Sequence, residues 1–165
     1  MILRCAKVAL VAAVAGFHTL VVLNNTTDYD SNFQFVRHVM MMDSTFNGNR
    51  AMWRAVNAPA LHTAFYFSII GWESVSMLLC WWGAIQLGRA LRESPTAFEG
   101  AKKWAIAGLA LSLLMWLVAF LSVGGEWFLM WQSKTWNGQE AAFRMFTVVG
   151  MVLLLLLQRE TEDQL

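Results

Sequence analysis

The sequence predicts an all-α, polytopic membrane protein: four transmembrane helices with an amphipathic segment on the outer side between the first and the second. Three observations lead there. Of 165 residues, 58% are hydrophobic and only 14% charged, whereas ordinary soluble domains carry about a quarter charged residues. Four apolar segments reach or approach the ~20 residues that a membrane-crossing helix needs. The basic residues are also shared unevenly between the connecting loops, as the positive-inside rule requires of a multi-pass chain.

The first segment, ILRCAKVALVAAVAGFHTLVVL at residues 2–23, has Arg4 and Lys7 ahead of its apolar run. The run is long for a cleaved signal peptide and its AVAG is a poor cleavage site, so a retained helix is expected. The second segment covers about 60–87, the third 104–126 and the fourth 141–157. The second is long enough to tilt or protrude, and the fourth is near the minimum length. With no repeat and no low-complexity linker, residues 1–165 are expected to form a single four-helix domain.

Arg4, Lys7, Arg89, Arg92, Lys102, Lys103 and Arg159 fall on one side of this arrangement, in short loops. Arg37, Arg50, Arg54, Lys134 and Arg144 fall on the other. Both termini are therefore expected in the cytoplasm. Trp53, Trp104, Trp127, Trp131 and Trp136 sit near predicted helix ends, where interfacial aromatics anchor.

The outer loop, residues 24–59, is too long for a plain connector. Within it NFQFVRHVMMMD sets Phe35, Val39 and Met42 at helical spacing, with Arg37 and His38 on other faces. That pattern predicts a short amphipathic helix lying on the membrane or capping the bundle. NNTTDYDSN before it and FNGNR after it carry turn chemistry. The stretch NNTTDYDSNFQFVRHVMMMD, the later FYFSIIGWES and the four-helix layout together resemble a bacterial family of predicted small integral membrane proteins of unknown function. The resemblance covers nearly the whole chain. It implies a four-helix inner-membrane protein and transfers neither an activity nor any site residue.

Charge excludes some partners. Lys plus Arg number 12 and Asp plus Glu 11, with no basic stripe for nucleic acid and no glycine-rich phosphate loop. The two cysteines, Cys5 and Cys80, both fall toward the cytoplasmic side and show no metal-binding spacing, so inert thiols are expected.

The candidate chemistry lies inside the membrane. Glu73 interrupts FYFSIIGWESVSMLLCWWGAI, at a cost of roughly 2.5–3.5 kcal/mol for an acidic residue at a helix centre. His62, Tyr66, Glu73 and Cys80 follow one another at intervals of 4, 7 and 7, which keeps them on one helix face. Such a stripe is expected to face other helices or a cavity, with Glu73 mostly protonated beneath His62 and Tyr66. His18 lies about five residues below the outer end of the first segment, and Glu126 and Arg144 lie at similar depth. The expected polar cluster is thus His18, His62, Tyr66, Glu73, Glu126 and Arg144, with Arg144 paired to Glu126 or Glu140.

A structural hydrogen-bond network accounts for these residues most simply. The first alternative is haem b held by His18 and His62 and exchanging electrons with a quinone, because bis-histidine ligation in a bundle needs two histidines at one depth. The second is a proton path through Glu73, although four helices without an inverted repeat make a poor transporter. The third, copper at His38 and Met40 to Met42, is disfavoured because consecutive methionines at ~100° steps cannot all face one ion. Nothing resembles a nucleophile with its base, and no enzyme activity is expected. The sequence favours an accessory subunit that meets the lipid bilayer and another integral membrane protein, without a cofactor.

Overall fold

The computed structural model describes residues 1–160; residues 161–165, the last part of the expected domain, lie outside the described residues. Helix α1 covers Ile2–Thr27, α2 Tyr29–Met41, α3 Pro59–Arg89, α4 Pro95–Ala101, α5 Lys103–Leu114 and α6 Gln139–Leu157. A π-helical stretch, Met115–Trp127, carries α5 onward without a break. Four stretches are long and apolar enough to cross a membrane: Ile2–Thr27, Pro59–Arg89, Pro95–Trp127 and Gln139–Leu157.

Two boundaries differ appreciably: the short helix α4 starts the third stretch at Pro95, nine residues before the expected 104, and α1 runs four residues past 23. NNTT does not form a turn; it extends the helix to Thr27. The hydroxyls of Thr26 and Thr27 donate to the carbonyls of Val22 and Leu23, at 2.8 and 2.7 Å, so these side chains bond back into the helix they were expected to end. The helix breaks at Asp28 alone, and α2 begins at Tyr29.

Helix α2 caps the bundle. Val36, Val39 and Met40 are its buried residues and pack with Tyr66 and Ile69 of α3 and with Phe128 and Met130. The buried face is therefore one step round from the expected Phe35, Val39 and Met42. Phe35 is half-buried against the same cluster, and Met42 has left the helix. Met42 ends it in the left-handed conformation, φ 53°, with its side chain still buried.

α1 and α5 pack on α3, and α6 closes the bundle against α5 and the π-helical stretch. Side chains fix the register: Tyr66 Oη donates to the Asn25 carbonyl at 3.1 Å, Trp81 Nε1 to Thr19 Oγ1 at 3.0 Å, and Trp72 Nε1 to the Leu111 carbonyl at 2.9 Å. α3 and α5 approach closely at two glycines. A Cβ on Gly83 would strike the backbone of Ala105, and one on Gly108 would lie 2.7 Å from Cys80 Sγ. Gly16, by contrast, has open space around it and makes no close crossing. Trp81 and Trp82 turn outward while Trp72 points in, so the aromatics of α3 divide between the surface and the interior.

Candidate functional site

The middle of the bundle holds a layer of buried polar groups contributed by three elements. Glu73 lies near the centre of α3, fourteen residues after Pro59 and sixteen before Arg89. It is 1% exposed, and no hydrogen bond reaches its carboxyl among the described residues. His18 of α1 shares a 2.8 Å hydrogen bond between its Nε2 and Ser112 Oγ of α5, and its Nδ1 is buried without a partner. Trp116 opens the π-helical stretch, and its Nε1 is also buried without a partner. Phe17 packs toward the Trp116 ring, 6.5 Å between centroids, which brings α1 and the π-helical stretch together at this level. The great majority of buried polar atoms in folded chains are satisfied. Three orphaned atoms in one layer (Glu73 Oε2, His18 Nδ1 and Trp116 Nε1) therefore mark it out.

Above Glu73, toward the α2 cap, lies a partly open cavity of about 290 Å³. Glu73 and Trp116 stand at its deep end, Tyr66, Phe35 and Phe120 wall it, and Asn25 and Asn32 bring amides to it. The π-helical geometry helps to present the aromatic wall. Phe128 N–H donates to the Val123 carbonyl five residues back, and in the same stretch the Trp116 and Phe120 rings stand with centroids 4.9 Å apart. Widened turns of this kind are frequent at functional sites.

The other residues read from the sequence go elsewhere. His62 is three residues into α3 and donates from Nε2 to the Val56 carbonyl at 2.7 Å, pinning the loop before the helix. His18 is nine residues below the end of α1. At ~1.5 Å per residue the two histidines are thus about 13 and 4–5 Å from their helix ends. The common depth expected of them relied on a first helix four residues too short. Glu126 and Arg144 are exposed, and no ion pair joins Arg144 to Glu126 or Glu140 among the described residues. The expected cluster resolves into Glu73 and Tyr66 on one cavity, His18 bonded to Ser112 beside it, and His62, Glu126 and Arg144 apart. His38 stacks on Trp136 at 4.6 Å and pairs with Asp43 at 2.6 Å, while Met40 and Met42 are buried in the cap. Cys80 is buried in the α3–α5 crossing, and Cys5 is exposed.

The end of the bundle that carries the termini contains a feature that sequence reading missed. Arg4, Lys7 and Lys102 count there as flanking charges, yet each is at most 2% exposed. Glu160 accepts from Arg4 Nε at 3.0 Å and from Lys7 Nζ at 2.6 Å, and Lys102 Nζ lies 3.8 Å away. The Gln158 carbonyl accepts from both lysines at 2.8 Å, Glu99 accepts from Lys102 at 2.7 Å, and Arg4 also donates to the carbonyls of Leu91 and Glu93. The Arg4 guanidinium lies 4.8 Å above the Phe98 ring. Burial alone would raise the Glu160 carboxyl, but the hydrogen bonds from Lys7 and Arg4 and the nearby lysine charges outweigh it and hold the group below its ordinary value. The available signal was the placement of two cations, Arg4 and Lys7, inside an apolar run, with carboxylates on the same side at Glu93, Glu99 and Glu160.

The family model described as predicted small integral membrane protein (DUF2165) matches residues 3–159, and the chain belongs to that family. It is a multi-pass integral membrane protein. No curated protein and no solved structure matches it.

Proposed function

We propose that the chain is an accessory subunit of a larger bacterial inner-membrane assembly, such as a transporter or respiratory complex, and acts by binding instead of by catalysis or conduction. The observation that carries this reading is the contrast between the two ends of the bundle. Buried ion pairs and apolar packing fill the end with the termini. The cavity occupies the other half and reaches no deeper than Glu73 and Trp116. A blind cavity binds but does not conduct. A partner subunit that senses occupancy of that cavity would dock on the helix surfaces. These surfaces carry large exposed side chains, including Trp81, Trp82, Phe143 and Leu154. The basic residues support an orientation with the termini and the ion-pair cluster in the cytoplasm.

The test is the native mass and composition of the protein extracted from its own membranes in mild detergent. Co-elution with another integral membrane protein at fixed stoichiometry is the expected result. Elution alone, as a monomer or homo-oligomer, would overturn the proposal. The haem alternative requires the Nε2 atoms of His18 and His62 to leave their present partners, and the absorption spectrum of the same preparation tests it.

A further inference from the structure

We propose that the cavity above Glu73 is a binding site for a small organic cation with apolar substituents, a tertiary or quaternary ammonium compound. The inference stands independently of any partner subunit and rests on the make-up of the cavity. Glu73 supplies a carboxyl that is 1% exposed, lines the cavity and has no hydrogen-bond partner among the described residues. No Lys, Arg or His lines the cavity to neutralise it. The groups facing it from the other elements are Asn25 of α1, Asn32 of α2, Trp116 and Phe120 of the π-helical stretch and Ala141 of α6, none of them ionisable. The titratable neighbours are Tyr66, whose hydroxyl is occupied by Asn25, and His18, held by Ser112.

The walls define the rest of the ligand. Tyr66, Phe35, Trp116 and Phe120 line the space with aromatic side chains, the residue type by which an alkylated ammonium is stabilised through cation–π attraction. A calcium or magnesium ion would need about six oxygen ligands, whereas one carboxylate and two amides are present. An anion would meet Glu73, and a plain hydrocarbon would leave the carboxyl unused. The volume of about 290 Å³ is at the small end of the ligand-pocket range.

Occupancy exchanges one positive charge for another. An unpaired ionised carboxylate is costly in apolar surroundings, so the empty site keeps its proton. The arriving cation displaces that proton to solvent, leaving carboxylate and ammonium in contact and the net charge of the site unchanged. Proton release is thus a signature of the site that nonspecific partitioning into detergent lacks.

The experiment is isothermal titration of the purified full-length protein in mild detergent. Benzyltrimethylammonium is the probe, N-benzylacetamide its neutral counterpart, and two buffers of different ionisation enthalpy report proton release. Saturable binding of the cation, a buffer-dependent enthalpy showing proton release, and at least tenfold weaker binding by Glu73→Gln are expected. Glu73→Asp should recover part of the affinity. Absence of saturable binding, equal binding by Glu73→Gln, or equally tight binding of the neutral compound would overturn the proposal. Should Glu73→Gln fail to fold, Trp116→Leu replaces it. A severalfold loss is then expected, and an unchanged affinity would count against the site.

Discussion

Glu160→Gln tests whether the ion-pair cluster at the terminal end holds the last segment of the chain on the bundle. The substitution keeps the shape of the side chain and removes its charge. Glu160 and both cations it contacts directly have side chains no more than 2% exposed, so water does not replace the lost partner. Two charge-assisted hydrogen bonds are weakened, each contributing about 1.5–3 kcal/mol. Removing one member of a buried pair typically costs about 3–5 kcal/mol, because the remaining charge is left uncompensated. The shared Gln158 carbonyl and the Glu99 contact to Lys102 remain, which favours the lower half of that range. For a chain of this size the fall in Tm is roughly 6–16 °C, read from tryptophan fluorescence in detergent. The pH dependence has a definite sign. Because Glu160 is held below its ordinary value when folded, its stabilisation is fully present above the ordinary carboxylate range and is lost as pH falls through the lowered one. The natural protein should lose Tm on acidification through that window more steeply than the Glu160→Gln variant. Adding Lys7→Met to Glu160→Gln should destabilise less than the two single changes summed, since the orphaned lysine is then gone. An unchanged Tm for Glu160→Gln, or strict additivity of the pair, would refute the reasoning.

Two further predictions concern packing and orientation. Gly83→Val places side-chain carbon against the Ala105 backbone where α3 meets α5; it should destabilise the bundle by about 1–3 kcal/mol or more by overpacking, whereas Gly16→Val, with open space around it, should leave the Tm nearly unchanged. A membrane-impermeant maleimide should leave Cys5 unmodified in intact cells and label it after permeabilisation, while buried Cys80 reacts only on denaturation; labelling of Cys5 in intact cells would place the termini outside.

Much of the fold was legible because a bilayer imposes length and apolarity on each crossing helix, and 58% hydrophobic composition leaves little alternative. The spacing of His62, Tyr66, Glu73 and Cys80 correctly put all four on an inward face, since each is at most 2% exposed. What faces that stripe was not legible. In helices apolar all round, periodicity does not set the rotation, so the meetings of Glu73 with Trp116 and of His18 with Ser112 had no signal of their own. The end of α1 was misread because Asn and Thr favour turns, while back-bonding by Thr26 and Thr27 depends on hydroxyl orientation that composition does not record. The ion-pair cluster joins Arg4 to Glu160 across 156 residues, a separation at which single-sequence patterns carry no information.

The two polar regions differ in a way that bears on what each is for. At the terminal end, the buried cations Arg4, Lys7 and Lys102 each meet a carboxylate and at least one backbone carbonyl. That degree of satisfaction is what a stabilising cluster requires, since a half-paired buried charge opposes folding. The layer at Glu73 shows the reverse: a carboxyl, an indole N–H and an imidazole nitrogen are shielded from solvent and left unmatched among the described residues, and two of their side chains, Glu73 and Trp116, line the cavity. If the carboxyl contributes nothing to packing, leucine at position 73 stabilises the bundle, because it avoids burying an unpaired carboxyl. Glu73→Leu is therefore expected to raise the Tm while abolishing cation binding, a separation of stability from function that a purely structural glutamate would not give. A lowered Tm would instead assign Glu73 to the packing of the bundle.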